Sequence, residues 1–308
     1  MFSISKKAKN FIILLLKILV VVGAFYFIYD QLAHNEKLDW KKFLVLLDRK
    51  KSFLGILFLL SFSFLNRFLE ILKWKNLAQI LRKISLSEAT EQVLGALTAS
   101  IFTPNGIGEY GAKALYFEKQ QAKKVVFLNL ICNGIQMVLT VVFGVVGLLI
   151  LGYGKWVSVI FLIVFVLFSA SFLLKNFKIK GYSLDRLFKK INEIPKKIHK
   201  KNIALAILRY LTFSHQYYFL FLAFDVELPY FTLMATIATV YFLASSLPTF
   251  QFLDFAVKGS VAVFFFGNLG VNEWIVVFIS TLMWFLNVVL PVFLGSFYVL
   301  KFKPKWKS

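Results

Sequence analysis

Two short segments of this chain set a carboxylate four residues before a lysine inside otherwise apolar stretches: Glu109 with Lys113, and Asp254 with Lys258. Each pair follows a proline, Pro104 or Pro248, that interrupts an apolar helical run. An acid placed four residues before a lysine on a helix has the order that favours an ion pair. Charged groups at membrane depth are expensive and point by default to function. Two kinds of chemistry are open to such pairs. They can neutralise each other and fix the local fold, or an incoming headgroup or proton can compete for one partner. Arg67 adds a cation that stays charged in apolar surroundings and can grip a phosphate bidentately. It lies deep in an apolar run beside Asn66 and Glu70, so pairing with Glu70 and snorkelling both stay open for it. Arg209 reads as a snorkelling anchor near the cytoplasmic end of its run. His215 and Gln216 read as polar packing positions on an aromatic helix.

The breaks themselves have a local logic. Pro104 removes a backbone donor and biases Thr103 away from helix. Asn105 and Gly106 can turn, and Asn105 is expected to cap the half-helix that restarts toward Lys113. Gly106, Gly108 and Gly111 leave that half-helix without bulk, so another backbone or a lipid could approach it. Pro248 and Thr249 are expected to start the second half-helix, on which Asp254 and Lys258 repeat the pair.

The elements that must position these residues follow from composition. Of 308 residues 59 % are hydrophobic and 18 % aromatic, above the roughly half-apolar content of soluble domains. Full spans are expected at about 11–29, 52–74, 125–151, 155–174, 203–224 and 273–300, each near the ~20 residues that cross hydrocarbon. Two further apolar regions, about 90–118 and 231–267, are broken near the middle. Their halves are too short to cross alone, which predicts re-entrant hairpins. The first run lacks a small-residue cleavage site and is expected to be retained. Cys132, the one cysteine, excludes an internal disulfide and a cysteine-built metal site.

The net charge of +21 is distributed like a membrane protein's and not like a nucleic-acid binder's, so no nucleic-acid partner is expected. With the N-terminus inside, 24 of the 36 basic residues fall on the cytoplasmic side, seven outside and five within apolar segments (Lys17, Arg67, Lys113, Arg209 and Lys258). The basic loop 175–202 dominates the cytoplasmic set, and both termini are expected to be cytoplasmic. The stretch Lys37 to Lys51, with Leu38, Trp40, Phe43, Leu44 and Leu47 among its lysines, suits an interfacial amphipathic helix. On this layout the first hairpin opens to the cytoplasm and the second to the exterior. A first repeat of about 52–151 and a second of about 203–300 would then be inverted, with the site where the hairpin tips meet.

Asn66 and Arg67 through Trp74, followed by Thr103, Pro104, Asn105, Gly106, Ile107, Gly108 and Glu109 and then a helix, resemble the transmembrane region of the lysylphosphatidylglycerol synthase/flippase family. The likeness runs over roughly residues 10–300. It implies a flippase-like fold with two re-entrant hairpins that moves an anionic or amino-modified lipid between leaflets, and it puts Arg67, Pro104, Gly106, Gly108 and Glu109 on the family's first motif. The second motif departs: glycines and a glutamate are usual there, whereas this chain runs from Pro248 through Thr249, Phe250, Gln251, Phe252 and Leu253 to Asp254. The family's aminoacyl-transferase domain has no counterpart here.

The sequence therefore predicts an all-α polytopic protein of a bacterial inner membrane, a single transmembrane domain over 1–308, acting as a lipid transporter and not as an enzyme. Its expected site comprises Arg67, Asn105, Gly106, Gly108, Glu109, Lys113, Asp254 and Lys258, with Pro104 and Pro248 as structural breaks. Membrane lipids are its expected partners, a homo-oligomer stays open, and neither metal nor cofactor is implied. A small-solute or ion transporter on the same scaffold, a lipid-phosphate enzyme using Glu109, Asp254 and His215, and an accessory subunit are the alternatives.

Overall fold

The computed structural model describes residues 53–173, 183–247, 249–250 and 253–303, with six helical positions in the first apolar run (Leu15, Ile18, Leu19, Val22, Gly23 and Tyr26). The expected interfacial helix over Lys37 to Lys51, Pro248 and the start of the basic loop lie outside the described residues.

The described residues form helices and no strand: α1 (Phe53–Ala78), α2 (Leu86–Ser100), α3 (Gly108–Ala114), α4 (Ala122–Ile150), α5 (Gly154–Leu173), α6 (Leu184–Asn192), α7 (Lys196–Ala223), α8 (Tyr230–Ser246), α9 (Asp254–Gly267), α10 (Glu273–Trp284) and α11 (Leu290–Lys301). A π-helical turn, Phe285–Val289, joins the last two. Among the described residues four stretches are long and apolar enough to cross a membrane: Phe53–Ala78, Lys119–Ile150, Gly154–Ser171 and Glu273–Lys301. Helix α7 has the length of a span but carries lysines through its first turns and polar residues beyond them.

Local chemistry sets the boundaries. Ser85 starts α2 through a capping box, accepting from the Glu88 amide at 3.0 Å while Glu88 Oε2 accepts from the Ser85 amide at 2.9 Å. Asn272 caps α10 by accepting from the Trp274 amide. Prolines precede α7 and α8 as Pro195 and Pro229, where a missing N–H costs nothing. Between α2 and α3 the chain turns through Asn105 and Gly106, both with positive φ (48° and 66°), a conformation that asparagine and glycine tolerate best.

The three largest helix pairings join the two sequence halves. The most extensive contacts join α4 to α8, α1 to α7 and α2 to α11. Small residues allow two of these approaches. A Cβ on Gly144 would run into the Phe242 side chain, and one on Gly147 into the backbone of Ala235 on α8. A Cβ on Gly295 of α11 would collide with Thr98 and the Leu94 carbonyl of α2. Close backbone approach through small residues is the usual means of tight helix pairing in lipid. Two apolar cores result. One gathers Ile71, Trp74, Val93, Phe117, Leu128 and Cys132, and the other Tyr217, Phe221, Leu233, Ile237, Phe266 and Ile279. Leu97, Ile101, Phe255, Trp284 and Val292 form a smaller cluster where α2, α9, α10 and α11 meet.

Candidate functional site

The two broken segments meet at their tips. Pro104 and Phe250 form an isolated antiparallel bridge. The Asn105 amide donates to the Thr249 carbonyl at 2.7 Å, and the Thr249 amide donates to Asn105 Oδ1 at 3.0 Å. Asn105 thus does not cap α3, as the sequence suggested. Its side chain is spent on the opposite tip, and the Gly108 amide is satisfied by Thr103 Oγ1 at 2.9 Å. The same correction reaches the glycines. Gly106 is needed for the turn, and a Cβ on Gly108 would meet Thr103. Gly111 has open space beside it. In the second segment α9 begins at Asp254, after Leu253 and without a side-chain cap.

Beneath the tips lies a cavity of about 860 Å³. Polar residues from five elements line it: Asn66, Arg67 and Glu70 of α1, Glu109 of α3, Asn133 and Gln136 of α4, Arg209 of α7 and Asn287 of the π turn. Asn105, Asp254 and Lys258 also face it. Hydroxyl-bearing side chains such as Tyr110, Thr140, Tyr241 and Ser280 and a set of apolar ones complete the lining. Val126, Leu130, Gly134 and Met137 follow one another at helical spacing along α4, and Ile107 joins them. The side chains of Ile107, Val126, Leu130 and Met137 are exposed on this wall.

The charges at the polar end are tightly connected. Arg209 Nη1 lies 2.7 Å from Glu70 Oε2, while Lys73 Nζ approaches the same oxygen at 4.0 Å. Arg209 is therefore an inward partner of Glu70, and the snorkelling expectation for it is corrected. Gln136 Oε1 accepts from both Lys73 at 3.3 Å and Arg209 at 3.4 Å. Arg67 does not pair with Glu70. Its Nη2 donates to the Asn287 carbonyl at 2.8 Å. Among the described residues no carboxylate lies within ion-pair distance of Arg67. Asn287 acts as a hub, its Oδ1 accepting from Asn66 at 2.6 Å and its Nδ2 donating to Gln216 Oε1 at 2.9 Å. A π turn frees side chains from the regular ladder and recurs at functional sites.

The two acid–lysine pairs form as expected, each at 2.5 Å. Their surroundings differ. Lys113 is fully buried; it donates to Asn129 Oδ1 at 2.8 Å and lies 4.6 Å from the centroid of the Trp74 ring. It does not line the cavity, whereas its partner Glu109 does. Lys258 is partly exposed to the cavity and lies 5.2 Å from the Tyr241 ring. His215 is exposed and bonds the Leu211 carbonyl and the Tyr230 hydroxyl, the packing role expected for it. Gln216 is buried and also donates to Leu59 O and Ser63 Oγ. Among the described residues no three His, Cys, Asp or Glu side chains come together to hold a metal.

The sequence reading passed over Lys73, Asn129, Gln136 and Asn287 and gave Arg209 a different role. A usable signal was present. Asn66, Glu70 and Lys73 recur on α1 at helical spacing, as do Asn129, Asn133, Gln136 and Thr140 on α4. A polar stripe on a long apolar helix marks the face turned to protein or to a cavity. No protein-family model, no curated protein and no solved structure matches the chain.

Proposed function

We propose that this chain is a lipid flippase-like transporter of a bacterial inner membrane, moving a lipid with a charged headgroup between leaflets by alternating access. The observation that carries the reading is the mixed lining of the cavity. Arginines and carboxylates line it together with an exposed apolar row on α4, Val126, Leu130 and Met137, which is the chemistry of an amphiphile and not of a small polar solute. In this reading Arg67 and Arg209 hold the headgroup and the acyl chains lie along Val126, Leu130 and Met137. Glu109 and Asp254, on opposite broken segments, gate access by exchanging partners.

The fold supports the alternation. Residues 52–151 and 203–300 act as inverted repeats, with α2–α3 and α8–α9 as re-entrant hairpins opening to the cytoplasm and the exterior. Their exchange accounts for the helix contacts: α2 packs on α11 as α8 packs on α4, and α1 on α7 is its own counterpart. The resemblance to the lysylphosphatidylglycerol flippase region belongs to the same proposal.

The test is translocation of a fluorescent short-chain anionic lipid in proteoliposomes, compared between the wild type and Glu109→Gln. Loss of transport well beyond the loss of folded protein supports the reading. Equal losses would make Glu109 structural, and wild-type vesicles that move no lipid overturn the proposal. Single cysteines at Asn105 and Phe250 in a Cys132→Ser background test the topology separately. Labelling of 105 only from the cytoplasm and 250 only from outside is expected.

A further inference from the structure

The charges that line the cavity balance, three against three, and two lysines buried behind its wall, Lys73 and Lys113, bring the surroundings to a positive excess. Around the cavity, among the described residues, Arg67, Lys73, Lys113, Arg209 and Lys258 face Glu70, Glu109 and Asp254. Glu109 is taken by Lys113 and Asp254 by Lys258, while Glu70 is shared between Arg209 and Lys73. Lys73 is fully buried, with a carboxylate oxygen and the Gln136 amide oxygen before its Nζ. Among the described residues Arg67 has no carboxylate partner. Five cations against three carboxylates leave a surplus of two.

Hydrogen bonding points the same way. Among the described residues Arg67 Nε, Arg209 Nε and Gln136 Nε2 are buried donors without an acceptor, on three different helices around one cavity, against one unpartnered acceptor there, Asn66 Oδ1. Buried donors of this kind call for an acceptor-rich guest. Guanidinium forks match phosphate oxygens in geometry as well as charge.

We infer that the cavity's guest is a phosphomonoester dianion, a terminal phosphate carrying close to two negative charges, presented by a lipid. The inference rests on the reading of the cavity as a headgroup site and narrows it. A phosphomonoester bears about −1.5 to −2 at neutral pH, which matches the surplus. A phosphodiester, with about one negative charge, leaves a buried positive charge unmatched. An amino-modified headgroup adds a cation where cations already exceed acids, so it is the poorest fit. The lipid source follows from the apolar stripe on α4; inorganic phosphate offers the same headgroup chemistry without chains.

The experiment is ligand-induced thermal stabilisation of the purified protein in a neutral detergent at pH 8 and constant ionic strength. The probes are didecanoyl phosphatidic acid, didecanoyl phosphatidylglycerol, didecanoyl phosphatidylethanolamine, lysylphosphatidylglycerol and inorganic phosphate. Phosphatidic acid is expected to half-saturate at a concentration at least tenfold below phosphatidylglycerol. Arg67→Gln, which lowers the surplus to one, is expected to bring that ratio close to one, whereas Arg67→Lys keeps it above one. Asp254→Asn frees Lys258 and is expected to raise the ratio, so the inference stays testable if Arg67→Gln does not fold. A wild-type ratio of one or less, or ratios indifferent to both Arg67→Gln and Asp254→Asn, overturns it. Tightest binding of lysylphosphatidylglycerol overturns it too.

The arms separate this inference from the transport reading. Inorganic phosphate binding as tightly as phosphatidic acid overturns the lipid source and leaves the dianion. Preference for phosphatidic acid without any lipid translocation removes transport and leaves the dianion. Preferred binding and translocation of phosphatidylglycerol does the reverse.

Discussion

The pairs Glu109–Lys113 and Asp254–Lys258 share spacing, order and a 2.5 Å contact, yet they are different objects. In the first, the lysine is fully buried and the acid 14 % exposed; in the second the figures are 27 % and 22 %. Asn129 and the Trp74 ring surround Lys113, and it has no route to the cavity. Tyr241 flanks Lys258, which lines the cavity with its acid. A motif repeated in sequence need not repeat in energetics. The first pair anchors α3 and turns only its carboxylate to the cavity. The second turns both charges to it.

Stability measurements test this contrast directly. Glu109→Gln leaves a buried ammonium without its counter-charge and is expected to cost about 3–5 kcal/mol, read as a large fall in thermal midpoint. Exposure of the buried Cys132 thiol to a maleimide dye would follow the unfolding. Asn129→Ala removes the remaining neutral acceptor from Lys113, at an expected cost of about 1.5–3 kcal/mol for a bond to a charged group. Asn105→Gly keeps the positive φ that the turn requires and deletes only the bond to Thr249. A loss of about 1 kcal/mol is expected, together with faster proteolysis at the tips. Asp254→Asn should cost least, about 0–1 kcal/mol, because water already screens its partner. Equal losses for Glu109→Gln and Asp254→Asn would abolish the distinction between the pairs.

The sequence showed much of this, unevenly. Apolar runs and breaks placed α1, α4 and α5 within a few residues, because length and hydropathy are local properties. The pairs were legible for the same reason, being four residues apart on one helix. The Arg209–Glu70 contact was not, since it joins α1 to α7 and depends on how two distant helices are rotated against each other. Lys73 looked like one more cytoplasmic charge because it stands near the end of its apolar run. Packing against Gln136 of α4 is what buries it. The π turn at Asn287 was invisible because nothing in an unbroken apolar run marks one extra residue per turn.

The docking of Gly295 against α2 has a consequence for how the protein is made. The partner of α2 is made long after it: Thr98 donates to the Val292 carbonyl, 194 positions downstream. While the chain is being synthesised, α2 has no final seat and the glycine-sized notch it needs does not yet exist. Assembly of the first half must therefore wait until α11 has been made. A nascent chain halted before α11 should present α2 to chaperones and proteases, and one halted after α11 has emerged should conceal it.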